Sequence, residues 1–154
     1  MAYTILQASY FMEVWLTPAL GFDYANGKVK LYGDGNHKLS WVSYKDVARF
    51  AVAALDQPRA RNAVLDVGGP EALSSREVVR MFEAAGAAEI SVESVPEAEL
   101  ESRLLSARDP MERSFAGLML QCANGDVMDM QTTLELLPMR LTSVRDYVSA
   151  RVAS

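Results

Sequence analysis

Cysteine and histidine are almost missing, with Cys122 and His37 standing alone. A lone cysteine excludes an intrachain disulfide, and one Cys beside one His excludes a Cys/His zinc set. Both scarcities fit a reducing, cytoplasmic setting, which is the localisation expected. No stretch approaches the ~20 apolar residues of a membrane span, and the uncharged run from Phe115 to Gly125 is far shorter. The first residues lack the basic region of a signal peptide and place Glu13 inside the apolar stretch, so no membrane role is expected. Basic charge is scarce as well: 15 Lys and Arg face 20 Asp and Glu, a formal net charge of −5, with no basic cluster. Nucleic acid is therefore excluded as a partner, because that binding is driven by basic patches. Neither G-x-G-x-x-G nor a spaced variant occurs, so the turn that brings a pyrophosphate to helix N-terminal amides is absent from these residues.

What is present reads as a folded chain. Half of the 154 residues are hydrophobic and 23% are charged, enough for one domain over residues 1–154 that buries roughly 70% of its unfolded surface. Residues 3–8 read as a strand that starts at once. Ser9 is the expected helix N-cap ahead of "YFMEVWL", limited by Pro18. Two β-like runs, 28–32 and 38–42, flank a Gly-Asp-Gly turn and predict a hairpin or a tight bend. In "SYKDVARFAVAALDQP" the residues Val47, Phe50, Ala51, Ala54 and Leu55 fall on one helical face. "NAVLDVGG" is a nearly all-apolar strand of the kind covered on both faces of a sheet. A helix over "SSREVVRMFEAAG" and a strand over "EISVESVP" follow.

The alternation predicts an α/β part over 1–95. Three helical segments then make a helical part over 96–154: "EAELESRLLSA", "PMERSFAGLMLQCAN" and "SVRDYVSARV". In the second, Asp109 is the N-cap, Pro110 takes the first helical position, and Phe115, Leu118, Met119 and Cys122 form an apolar stripe. Ser43/Asp46, Ser74/Glu77 and Ser143/Asp146 each give Ser-x-x-acid before an apolar helix, the pattern of a capping box.

Candidate chemistry is sparse. Tyr24 and Lys28 have a Tyr-x-x-x-Lys spacing, which on a helix sets an ammonium beside a phenol for proton transfer. They enclose Asn26-Gly27, a turn signal, and the turn is the preferred reading. Gly33-Asp34-Gly35 and Gly68-Gly69 read as turns, His37 as a solvated loop residue, and Asp126 with Asp129 as a polar loop. No catalytic residue and no metal ligand is assigned. The set Tyr10, Phe11, Glu13, Trp15, Trp41 and Tyr44 follows strand ends, where open α/β sheets place ligands. Each aromatic taken singly reads as core; as a set they suggest a pocket wall.

The order "YTILQASYFMEVW", "YGDGNHKLSWVSYKDVARFAVAAL", "NAVLDVGGPEALSSREVVRMFEAAG" resembles the C-terminal half of an NmrA-like protein, an atypical short-chain dehydrogenase/reductase of the NAD(P)-binding Rossmann superfamily. The likeness covers residues 3–95 well and the tail loosely. It implies a partial Rossmann-like parallel sheet with a C-terminal helical layer. It also implies an NAD(P) cofactor passing near Ser9, Tyr10 and Phe11, and a small-molecule substrate held by Tyr10, Trp15, Trp41 and Tyr44, with Ser43 and Asp46 ordering the return helix. In the family the glycine fingerprint and any catalytic Tyr/Lys pair precede the strand at residues 3–8, so that early strand marks half a fold. Gln7-Ala8 stands where the family usually carries Arg-Pro, which leaves the loop beside the nicotinamide less constrained.

The expected function is the substrate-side portion of an NAD(P)-binding protein related to oxidoreductases, which binds NAD(P) poorly without its nucleotide-binding half. The alternative is a stand-alone module that binds a small ligand or a protein without catalysis. Either pairing with a missing N-terminal half or self-association through strand 3–8 is expected.

Overall fold

A computed structural model describes residues 1–153. The chain opens with β1 (Thr4–Ala8) and β2 (Tyr10–Phe11), then the single helical turn α1 (Met12–Trp15). Next come β3 (Phe22–Asp23), β4 (Lys28–Tyr32), β5 (Lys38–Val42) and α2 (Tyr44–Leu55). β6 (Ala63–Val67), β7 (Ala72–Ser74), α3 (Ser75–Ala84) and β8 (Ser91–Val95) complete the mixed part. Four helices follow: α4 (Glu97–Ser106), α5 (Pro110–Asn124), α6 (Gln131–Leu136) and α7 (Val144–Val152).

The strands form three small sheets. β1 pairs parallel with β6, from Thr4 opposite Ala63 to Ala8 opposite Val67. β5 lies between β2, parallel, and β7, antiparallel. β4 lies between β3, antiparallel, and β8, parallel. The fold is thus α/β with parallel pairs joined by helical crossovers, a partial Rossmann-like arrangement. Of the two readings of residues 28–42, the tight bend is found and the hairpin is not. Gly33 and Gly35 both take positive φ, near 71° and 72°, which directs β4 and β5 into different sheets.

Local chemistry sets most helix ends. Ser74 with Glu77, and Ser143 with Asp146, form the reciprocal capping boxes expected. Asp109 caps α5 with Pro110 at its start. The third Ser-x-x-acid departs from the pattern. Ser43 accepts from the Lys45 N–H, but the Asp46 carboxylate accepts from the Thr142 N–H at 2.6 Å and from Arg49 at 3.1 Å. Glu13 explains the change: it accepts from the Ser43 hydroxyl at 2.6 Å and the Tyr44 N–H at 3.1 Å, so the helix start has a carboxylate already.

Four further expectations are corrected. Ser9 caps no helix, because the chain continues into β2 and α1 begins after Phe11. On α2 the buried residues are Asp46, Phe50 and Ala54, while Leu55 is 80% exposed. The helix is apolar on two sides, and periodicity alone cannot say which one packs. On α5 the buried face is Ala116, Met119, Cys122 and Ala123, with Phe115 and Leu118 about half exposed; small alanines let α5 approach Gly33 closely. β6 is covered on one face only, leaving Val64 53% exposed.

Three apolar clusters fill the interior. One joins Met12, Phe22, Leu39, Trp41, Phe82 and Val148. A second sets Phe50 of α2 and Leu136 of α6 against Leu65 and Val67. A smaller one packs Leu100 and Met119 under Val95. Among the described residues no helix is long and apolar enough to cross a membrane.

Candidate functional site

Parallel strands deliver their carboxyl ends to one side, and ligands of open α/β sheets sit there. β1 and β6 end together, and the Ser9 N–H donates to the Val67 carbonyl at 3.0 Å. The Ser9 hydroxyl is buried and has no hydrogen-bond partner among the described residues. A buried hydroxyl left unpaired carries a desolvation cost of about 1–3 kcal/mol, so this one calls for a polar group from outside the described residues. Beside it the Gly68 N–H meets the Met130 sulfur at 2.8 Å, and the Thr133 hydroxyl donates to the Asp66 carbonyl at 2.7 Å, tying the chain around α6 to the end of β6.

β2 and β5 are also parallel, and the groove at their carboxyl ends is built from four segments. Glu13 comes from α1, Ser43 and Tyr44 from the start of α2, Thr142 from the loop, and Tyr147 with Arg151 from α7; they enclose about 380 Å³. Glu13 is held rigidly by the two donors of the α2 start, a favourable place for negative charge near a helix N-terminus. The Arg151 guanidinium lies 5.1 Å from the centre of the Tyr147 ring. Burial raises the Tyr147 phenol above its ordinary value and the guanidinium opposes that rise. Tyr147 is therefore a hydrogen-bond donor at neutral pH.

The residues expected to form one pocket wall divide between two places. Tyr10 and Trp41 are buried, 5% and 2% exposed, and the Trp41 indole N–H donates to the Leu73 carbonyl at 2.9 Å. Trp15 packs edge-on against Tyr10 at 4.9 Å between ring centres, and against Tyr32 at 6.4 Å. This aromatic group stands over Cys122, whose thiol burial pushes up to about 12; burial, then Cys122 and Asp126, raises the Tyr10 phenol. Phe11 packs with the second cluster under Leu6 and Val47. Tyr44, half exposed, lies away from these rings in the Glu13 groove. The partners Thr142, Tyr147 and Arg151 carried no sequence signal toward this groove, since they come from a loop and a helix about a hundred residues downstream of Ser43.

Tyr24 and Lys28 are separated by a 3-10 turn and Gly27 at φ 64°, so they share no helical face. His37 is exposed, and among the described residues no group of three or more His, Cys, Asp or Glu is placed to hold a metal. A dinucleotide fits in part. The Ser9 hydroxyl offers a polar contact at the end of β1, but β1 runs into β2 and a single helical turn, so this end offers no glycine-rich turn with a long helix behind it.

No family model matches the chain. Over 85 residues, 55% of the chain, it is 36% identical to an NAD(P)H azoreductase of Xenophilus azovorans, of which the match covers 29%. Over 86 residues, 53% of the chain, it is 36% identical to an isoflavone reductase homolog of Nicotiana glauca, with 27% of that protein covered. The crystal structure of an isoflavone reductase superposes on 99% of this chain with a TM-score of 0.74 and 20% identity. The chain covers 53% of that structure, so it spans about half the length of the solved relative and less than a third of the curated ones is matched. These relatives fit the NmrA-like group of atypical short-chain dehydrogenase/reductases, over part of the chain, and make it a relative of NAD(P)-dependent reductases.

Proposed function

We propose that this chain is the substrate-side portion of an NmrA-like NAD(P)-dependent reductase. In this reading the carboxyl end of β1 faces the nicotinamide, and the Glu13–Tyr44 groove is open to the substrate. The observation that carries it is the buried, unpartnered Ser9 hydroxyl at the end of a parallel strand pair. The kinship with reductases supports the same reading. No glycine-rich fingerprint lies within these 154 residues, so the amides that receive the pyrophosphate come from a nucleotide-binding segment outside them.

The chain by itself then binds dinucleotides weakly. Micromolar affinity needs about −8 kcal/mol, and a ring-side contact alone falls short of it. Titration calorimetry with NAD+, NADH, NADP+ and NADPH is expected to give dissociation constants above ~10 μM in every case; a tighter one overturns the reading. Amide NMR spectra recorded at millimolar NADPH test the site directly. Shifts centred on Ser9, Tyr10, Phe11 and Gly68 are expected, and a spectrum unchanged there would favour the stand-alone binding module instead.

A further inference from the structure

We propose that the groove between α3 and α7 binds an aliphatic carboxylate, with Arg80 and Arg145 on its head and its chain laid along the two helices. The groove encloses about 440 Å³ between Arg80, Met81, Ala84 and Ala85 of α3 and Arg145 and Val148 of α7, a size ordinary for a small-molecule site. Both helices pack into the first apolar cluster, through Val78 and Phe82 on α3 and through Val144 and Val148 on α7. No residue of β1 or β6 lines the groove, so its shape follows from how α3 meets α7.

Charge sets the head end. Arg80 and Arg145 line the groove from different helices, and neither guanidinium has an ion pair or a side-chain hydrogen bond among the described residues. The carboxylates near them are engaged elsewhere. Glu77, the acid on the groove wall, accepts the Ser74 N–H of its own cap and feels Lys38 more than Arg80. Glu83 accepts the Ile90 N–H, and Asp146 closes the Ser143 cap. In a chain of net charge −5 this leaves two guanidinium forks opening on one space, and such forks match the paired oxygens of a carboxylate.

Helical spacing sets the rest. On α3 the residues 77, 80, 81, 84 and 85 share one face, as do 145, 148 and 149 on α7. The ends of the two helices lie together, since a β-carbon on Gly86 would stand 4.0 Å from the Val152 side chain. The arginines therefore lie toward one end of the groove, and Ala84 and Ala85 lie toward the other. No aromatic ring lines the groove, so nothing there stacks on a flat ligand. Met81 and the small alanines suit a flexible alkyl chain instead. From residue 77 to residue 85 the helix rises roughly 12 Å, about the length of an extended ten-carbon acid.

Amide NMR titration of the 154-residue chain with sodium decanoate up to ~5 mM tests the site. Saturable shifts centred on Arg80, Met81, Ala84, Arg145, Val148 and Ser149 are expected, with a dissociation constant of ~0.1–1 mM. Hexanoate, four methylenes shorter, should bind at least about tenfold more weakly. Decyltrimethylammonium, with the same chain and the opposite head charge, should leave these amides unmoved. Arg80→Gln and Arg145→Gln change exposed side chains, so circular dichroism should stay unaltered while each weakens decanoate about tenfold. Shifts that do not saturate, or that centre on another surface such as the α4–α5 pair, overturn the inference. So does equal binding of the ammonium, equal binding of hexanoate, or indifference to both glutamine variants. None of these outcomes involves a dinucleotide, so the functional reading stands or falls separately.

Discussion

Asp46 is the residue on which the α2 start depends most. It is 2% exposed, and its two oxygens take the Thr142 N–H and the Arg49 guanidinium. Arg49 also donates to the Arg140 carbonyl at 2.9 Å, so one carboxylate and one guanidinium anchor the whole segment between α6 and α7. Removing the carboxylate strands a backbone N–H and a half-buried cation. Asp46→Ala is expected to cost about 2–3 kcal/mol, read as a lower urea midpoint at pH 7, and Asp46→Asn, which keeps one acceptor, about half of that. A loss below ~0.5 kcal/mol would mean that water replaces the carboxylate freely.

Among the elements, α3 shows a cap whose strength depends on charge. The Glu77 carboxylate accepts from the Ser74 N–H at 2.7 Å, and that bond, followed by the Ser74 hydroxyl, holds it below its ordinary value of 4.5. A carboxylate depressed in the folded state contributes stability that is full above its unfolded value and is lost as pH falls through the folded one. Glu77→Gln should therefore be less stable than the parent at pH 7 and converge on it as the pH drops below the folded-state value. Urea midpoints at pH 7 and at about pH 3, roughly a unit below the unfolded value, check this through an offset that shrinks at the lower pH. An equal offset at both pH values would mean that the cap works without charge. Both partners of this box lie within one turn, which is why Ser-x-x-Glu is legible in the sequence alone. The Ser43 box fails for the opposite reason: its competitor, Glu13, lies 30 residues away.

At the scale of the whole molecule, the sheets meet where glycine permits it. The Gly69 backbone passes so close to the end of β5 that a β-carbon there would lie 1.8 Å from the Trp41 carbonyl oxygen. The Gly68-Gly69 pair is thus a point of contact between β6 and β5 rather than only a turn. Gly69→Ala must push β6 off β5 or break the β2–β5 pairing at Trp41, and either disturbs the cluster around Tyr10 and Trp41. The expected cost is above ~3 kcal/mol, seen as loss of a cooperative thermal transition or of soluble protein. A variant within ~1 kcal/mol of the parent, ordinary for a surface change, would show that the approach relaxes without strain.

The sequence by itself determined what a window of a few residues can carry: the strand at β1, the runs 28–32 and 38–42, the Asp109–Pro110 start of α5, and two of three capping boxes. Hydrogen bonds at i to i+3 and a glycine at positive φ need no distant partner, so they are written locally. Only the tertiary structure decided which strand β4 pairs with, which side of α2 is buried, and that Asp46 reaches Thr142, 96 residues on. Those choices depend on contacts between segments far apart in the chain, where many pairings satisfy the same local pattern. The folded arrangement selects the one that closes the apolar clusters while pairing the buried Asp46 carboxylate. The same holds for the candidate site. Glu13 and Tyr44 were visible as polar and aromatic residues after strand ends, but a groove with Tyr147 and Arg151 exists only once α7 has packed against α3.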